Sequence, residues 1–320
     1  LVHEVERWSA TDAAIWVRLP VVPVNAATTL KLHWGAGVPS AASGAVFDTA
    51  SGFSAVFHLG EATGFSTYDA TPNRFKGVPV GTATLDSATQ DTIRLFPLDV
   101  SPAQGALIGN AKDFRGVADN INVGGAYKVH IATGESSQNS MDLVDTTGTA
   151  TFSAWVKLPA FPSSNANRKA ILSKSQQFTG TTATGPNQWS FRALNANQFN
   201  FARASGAAPA PVVTRADAVN TWTFVTYTRT AANTHTMRVY NEAGPVTTAT
   251  QSATNGAHAD VDVFIGAFAG ADQNGIGFFN GLIDEVRVST VARTNAWHDL
   301  DFATQRPGAN AVRLGATEAK

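Results

Sequence analysis

Residues 278–288 read FFNGLIDEVRV. The aliphatic residues after Gly281 predict a strand, and side chains along a strand alternate between its two faces. Leu282, Asp284, Val286 and Val288 then share one face, and Ile283, Glu285 and Arg287 share the other. If the three aliphatic side chains of the first set enter a core, Asp284 enters with them. A carboxylate there is costly unless it is paired, hydrogen-bonded or bound to a metal.

Working outward from this strand, the chain is a succession of short alternating runs. They fall at Val2–Arg7, Ala14–Leu19, Thr29–Trp34, Ser54–Leu59, Ala150–Leu158, Ala170–Lys174 and Gln188–Ala193. More follow at Gln198–Arg203, Trp222–Arg229, His235–Tyr240, Asp260–Ile265 and Gly281–Val288. Their spacing predicts an all-β sandwich. Residues 67–104 and 133–149 mix Pro, Gly, Asp and Thr and read as long loops across its rim. One helix is predicted at Asn295–Phe302, capped by Thr294 or Asn295, with Trp297 and Leu300 sealing the sandwich edge.

Composition limits the function. The 320 residues suit one large sandwich or two unequal domains, and the 43% hydrophobic share is enough for a sizeable core. The formal net charge of −1 supplies no basic field, so nucleic acid is not an expected partner. There is no cysteine, which excludes disulfides and thiolate metal sites. No run of 18 apolar residues is present, so no transmembrane helix is predicted. Leu1 opens directly on a strand-like segment, and we expect the chain to derive from a longer precursor. The first 50 or so residues hold too few strands to bury a core alone; they dock on the next domain or need a partner sheet.

The opening resembles the DUF2341 family through LVHEVERW (1–8), AAIWVRLPVV (13–22), TLKLHWG (29–35) and VFD…FSAVFHLGE (46–61), with a start that looks truncated. The rest resembles the LamG-like jelly roll of the concanavalin A-like lectin/glucanase superfamily. The matching pieces are YDATPNRFKG (68–77), GNAKDFRGVADNINV (109–123), TFSAWVKLP (151–159), NTWTFVTYT (220–228), MRVYNEAG (237–244) and FFNGLIDEVRVSTVARTNAW (278–297). The resemblance implies a small N-terminal β module over residues 1–54 and a concanavalin A-like jelly roll over 55–320. It implies an extracellular, cell-surface or periplasmic protein that binds a glycan or a surface protein, or mediates adhesion, with structural calcium.

In similar sandwiches an Asp at the start of the final strand helps to hold calcium; the matching residue is Asp284. Asp69, in YDATPN, is a second metal candidate. Calcium accepts hard oxygens from carboxylates, carbonyls and water. Against this, Asp284 can accept loop N–H bonds, and Asp69 can serve as a turn residue. Asp272, Gln273, Asn274 and Phe278 form a candidate ligand-binding rim; Trp189, Phe191, Asn195, Asn197 and Arg203 form another, although Trp189 and Phe191 alternate like core residues. A structural or assembly role in an envelope complex is the alternative to binding. Glycoside hydrolysis is the third reading. It needs two carboxyls across one bond, and adjacent Asp284 and Glu285 face opposite ways. The Glu-x-Asp-x-x-Glu run of the retaining glucanases is absent. The seven histidines are dispersed without close metal spacing, His58 reads as a hydrogen-bonded structural residue, and no G-x-S-x-G elbow occurs.

Overall fold

The computed structural model describes residues 1–10, 13–23, 26–33, 45–60, 67–82, 98–100, 107–108, 111–115, 126–131, 148–165, 168–175, 178–179, 182–183, 187–203, 211–231, 233–241, 244–252, 263–268, 277–306 and 315. The strands are β1 (His3–Trp8), β2 (Ala13–Val17), β3 (Phe53–Phe57), β4 (Thr67–Tyr68), β5 (Lys76–Thr82), β6 (Leu98–Val100) and β7 (Ala111–Arg115). Next come β8 (Ala126–Ile131), β9 (Ala150–Lys157), β10 (Lys169–Ser175), β11 (Phe178–Thr179), β12 (Thr182–Ala183), β13 (Asn187–Leu194) and β14 (Gln198–Arg203). The last are β15 (Val212–Thr214), β16 (Thr223–Arg229), β17 (Thr234–Asn241), β18 (Gly244–Ser252), β19 (Val263–Ile265) and β20 (Asn280–Ser289), followed by helix α1 (Asn295–Gln305).

Two antiparallel sheets make the sandwich. One has the order β15-β14-β13-β10-β19-β8-β5-β4; the other runs β18-β17-β16-β9-β20-β7-β6, with β3 added beside β20. Several strands that neighbour in space, such as β9 with β20 and β10 with β19, are far apart in sequence, as in a jelly roll. Between the sheets lie Phe57, Phe152, Trp189, Phe191, Phe201, Tyr227, Val286 and Val288. Phe201 stacks on Tyr227 at 3.7 Å between ring centroids, and Phe152 lies 4.7 Å from Trp189. Each such side chain contributes roughly 1.5–3 kcal/mol by leaving water. Trp189 and Phe191 are therefore packing residues and present no face to a ligand.

The second sheet is covered on its outer side as well. Trp155, Phe224 and Tyr240 form a separate cluster there, with Phe302 of α1 packed on it. Thr294 caps α1: its Oγ1 accepts from the Trp297 N–H at 3.2 Å. The edge is sealed by Phe302 and the buried His298; Leu300 is exposed, which corrects its predicted sealing role. No helix among the described residues is long and apolar enough to cross a membrane.

The sequence pattern and the fold differ elsewhere too. Residues 29–33 are not a strand. Residues 67–104, read as a rim loop, contain β4, β5 and β6. At the opening, β1 and β2 form an antiparallel hairpin with a register shift between Val5 and Arg7. This hairpin covers the outer side of the second sheet near β3, where Trp16 packs with Val46, Phe47, Val56 and Ala70.

Candidate functional site

The site begins with an irregularity in β20. Along one edge β20 pairs with β9, but the register shifts between Asp284, opposite Trp155, and Arg287, opposite Ser153. Two residues, Glu285 and Val286, therefore lie against Ala154 alone, the pattern of a β-bulge. Glu285 has φ +50°, a left-handed conformation uncommon outside glycine. On the other edge β7 pairs with Asn280–Ile283 and β3 with Val286–Ser289. Asp284 and Glu285 thus occupy the gap where one neighbouring strand ends and the next begins.

The bulge resets the alternation. Ile283, Val286 and Val288 all enter the inter-sheet core, while Leu282 packs on the outer Trp155 cluster. Asp284 does not share a face with Val286 and Val288, as strict alternation predicts; its register partner Trp155 places it on the outer side. It is nonetheless fully buried. Its Oδ2 accepts from the Ile108 N–H at 3.2 Å, and its Oδ1 has no hydrogen-bond partner. Burial, then the charges of Glu285 and Glu6, push its carboxyl well above the usual range.

Beyond Asp284 a layer of charged side chains lies between the sheet and the hairpin. His58, two residues past Val56, points to this outer side, and its Nδ1 is 2.6 Å from Glu285 Oε1. Glu6 Oε2 is 3.7 Å from the same Nδ1, and Glu4 Oε1 is 3.7 Å from His58 Nε2. Trp16 Nε1 donates to Glu6 Oε2 at 2.7 Å, and the indole stacks on the imidazole at 5.5 Å. Arg287 donates from Nε and Nη2 to Glu285 Oε2, and from Nη1 to Asp301 Oδ1 of α1 at 2.9 Å. Its guanidinium also sits 4.5 Å from the Trp16 ring centroid.

Carboxyls outnumber cations in this layer. Glu4, Glu6, Asp284, Glu285 and Asp301 surround His58 and Arg287, with Arg74 and Arg293 acting from the margins. Burial and then Glu285 push Glu6 up to about 8. Burial opposes charge on His58, but Glu285, Glu6 and Glu4 outweigh it and push the ring up to about 9. Burial would also raise Glu285; His58 and Arg287 hold it below its ordinary value instead. Glu6, His58 and Glu285 each offer a ligand atom, and these atoms all lie within 4.8 Å of one another. This trio can hold a metal ion.

The residues singled out in the sequence fall differently. Glu285 joins this layer and Asp284 borders it. Asp69 is buried elsewhere on the outer side: Oδ1 accepts from the N–H groups of Val56 and Thr71 at 2.8 Å each, and Oδ2 accepts from Thr71 Oγ1 at 2.6 Å. These bonds tie the 69–75 turn to β3. Phe278 is 2% exposed and packs with Ala170, Ala267 and Phe268; it turns no ring face to solvent. Asp272, Gln273 and Asn274 lie outside the described residues. Glu4, Glu6, His58, Arg287 and Asp301 were not foreseen as a group. The only sequence signal is Glu4-Val5-Glu6, which puts two carboxylates on one face of a strand.

A model of the concanavalin A-like lectin/glucanases superfamily matches residues 131–297, more than half of the chain. The chain belongs to this superfamily. The match includes Glu285 and Arg287 but neither the hairpin, His58 nor Asp301. No curated protein matches the chain. Among solved structures, the binding domain of Paraclostridial Mosquitocidal Protein 1 is similar at a TM-score of 0.51 and 10% identity, over 79% of this chain and 52% of that one. The receptor-binding domain of botulinum neurotoxin type G gives a TM-score of 0.48 and 9% identity, over 79% and 51%. The serotype D ligand-binding domain, solved in complex with N-acetylneuraminic acid, gives 0.47 and 9%, over 80% and 52%. The chain thus spans about half the length of these structures.

Proposed function

We propose that the chain is a non-catalytic binding or adhesion module that acts outside the cytoplasm and recognises a glycan. The observation that carries this reading is the burial of the acidic pair of β20. In a lectin/glucanase sandwich, hydrolysis requires two carboxyls open to one glycosidic bond. Here Glu285 is salt-bridged beneath the hairpin and Asp284 is fully buried beside Trp155, so neither addresses a substrate. A toxin binding domain with the same fold is consistent with this role, by fold-level analogy alone.

Within the proposal, Asp272, Gln273 and Asn274 supply the glycan contacts, and the buried Phe278 follows them in the chain. A glycan array is expected to return specific binding that is lost in the double variant D272A/N274A. A clean negative on folded protein rejects the glycan. Calcium is the finer expectation for Asp284 and Asp69; the unpartnered Oδ1 of Asp284 supports it. The DUF2341 assignment of the opening rests on its sequence resemblance, because the family match starts at residue 131.

One observation favours the assembly reading as the alternative. The hairpin turns Glu4 and Glu6 inward and leaves apolar residues outside: Trp8 is 56% exposed, and Val5 and Val17 are also exposed. Apolar surface gathered in this way marks interaction sites. A failed array together with self-association of the purified chain, lost in Trp8→Ser, would select this reading.

A further inference from the structure

We propose that Glu6, His58 and Glu285 form a site for a divalent first-row transition cation, of the zinc or manganese class, which clamps the β1–β2 hairpin onto the sandwich. This goes beyond glycan binding and does not depend on it.

Three observations carry the proposal. First, the ligand atoms converge from separate parts of the chain: Glu6 from β1, His58 just after β3, and Glu285 from the bulge of β20. Bond lengths of about 2.0–2.2 Å to nitrogen and oxygen require the three atoms to close in from their present spread. The short His58 Nδ1 to Glu285 Oε1 contact is then replaced by two metal bonds, and the proton it holds is released together with any proton on the Glu6 carboxyl.

Second, two polar atoms of the trio make no hydrogen bond. Glu6 Oε1 has none although the side chain is only 4% exposed, and His58 Nε2 has none, with Glu4 Oε1 at 3.7 Å. An interior that leaves such atoms bare is uncommon. Three carboxyl groups, Glu4, Glu6 and Glu285, face His58, an environment that suits a cation.

Third, each ligand has its own outer holder. Trp16 Nε1 donates to Glu6, and Arg287 grips the second oxygen of Glu285. Glu4 Oε1 faces His58 Nε2 at 3.7 Å. With Nδ1 on the metal, Nε2 carries the proton and donates it to Glu4. A carboxylate behind a ligating imidazole is the outer shell expected of a metal site. The donor set decides the class of ion. An imidazole nitrogen with two carboxylates suits zinc, manganese or ferrous iron, whereas calcium takes six to eight oxygens.

The test uses the full chain, stripped with EDTA and then dialysed separately with zinc, manganese or calcium. Bound metal is measured by elemental mass spectrometry and stability by thermal unfolding. Zinc or manganese is expected to bind at about one equivalent and to raise Tm, as a ligand selective for the folded state must. Glu6→Gln and His58→Gln are expected to remain folded, by circular dichroism, and to lose that equivalent. Trp16→Phe keeps the ring but not the donor, and is expected to weaken binding by about 10–100-fold. Asp284→Asn, outside the trio, keeps the zinc or manganese equivalent; it is the variant that would lose a calcium-dependent rise in Tm, so the two metal readings separate. Absence of bound zinc and manganese, or undiminished binding in folded Glu6→Gln and His58→Gln, overturns the proposal.

Discussion

His298 shows how one buried titratable group sets a pH dependence. It lies on α1 with Nε2 2.9 Å from Thr228 Oγ1, and its Nδ1 is buried without a partner. Burial first, then Arg238 and Arg293, pushes its pKa down to about 4, although Asp299 pulls the other way. The folded chain therefore holds His298 neutral where the unfolded chain would protonate it. The stability contributed by the neutral ring is complete above about pH 6.5 and is lost as pH falls toward 4, by on the order of 3 kcal/mol. Chemical denaturation from pH 7 to 4 is expected to show a steeper loss in the wild type than in His298→Gln. Parallel pH dependences would contradict this. At the same scale, the burial of Asp284 was legible from the aliphatic neighbours of FFNGLIDEVRV, but its side of the sheet was not. Strict alternation cannot anticipate a bulge, and nothing in the residue type of Glu285 announces φ +50°. His58 read as a structural histidine because its partners come from 52 residues upstream, at Glu6, and 227 downstream, at Glu285.

At the scale of elements, Arg287 joins β20 to α1 and to the hairpin. It pairs with Glu285 on its own strand and with Asp301 of the helix, and lies against Trp16 of β2. Burial opposes its charge, but Asp301 and Glu285 outweigh this and hold it more firmly protonated than an ordinary arginine. Removing it leaves buried Asp301 without its main cation and buried Glu285 with His58 alone. Arg287→Met is expected to cost about 3–5 kcal/mol in denaturant titration at pH 7; a loss below about 1 kcal/mol would mean that the layer relaxes without it. The elements that were legible are those whose apolar residues alternate or run unbroken, such as β9, β16 and β20. β5, Lys-Gly-Val-Pro-Val-Gly-Thr, was not, because its Gly and Pro residues read as loop. Pro79 is tolerated there because β4 pairs only with Lys76 and Gly77, which leaves the edge beside Pro79 unpaired by that strand. β18 was missed for another reason: it is a Thr-rich edge strand, partly exposed, so it carries little hydrophobic signal.

At the scale of the whole molecule, the sandwich and its family were legible from the order of the motifs; docking of the opening was one of two expectations, but the charged layer that makes the contact was not legible. A two-stranded hairpin alone is marginal in water, and this one turns Glu4 and Glu6 toward the sandwich and its valines toward solvent. Hydrophobic patterning read in isolation points the hairpin the other way. The inward carboxylates make sense only beside His58, Glu285 and Trp16, which the fold brings together across most of the chain length.

Hydrogen exchange read by mass spectrometry tests this attachment most directly. If the buried charged layer binds the hairpin to the sandwich, the amides of residues 3–8 and 13–17 are protected far beyond a lone hairpin, and Glu6→Ala or Trp16→Ala releases them while β9 and β16 stay protected. Random-coil exchange of those segments in the wild-type chain, beside a protected sandwich, would contradict the account.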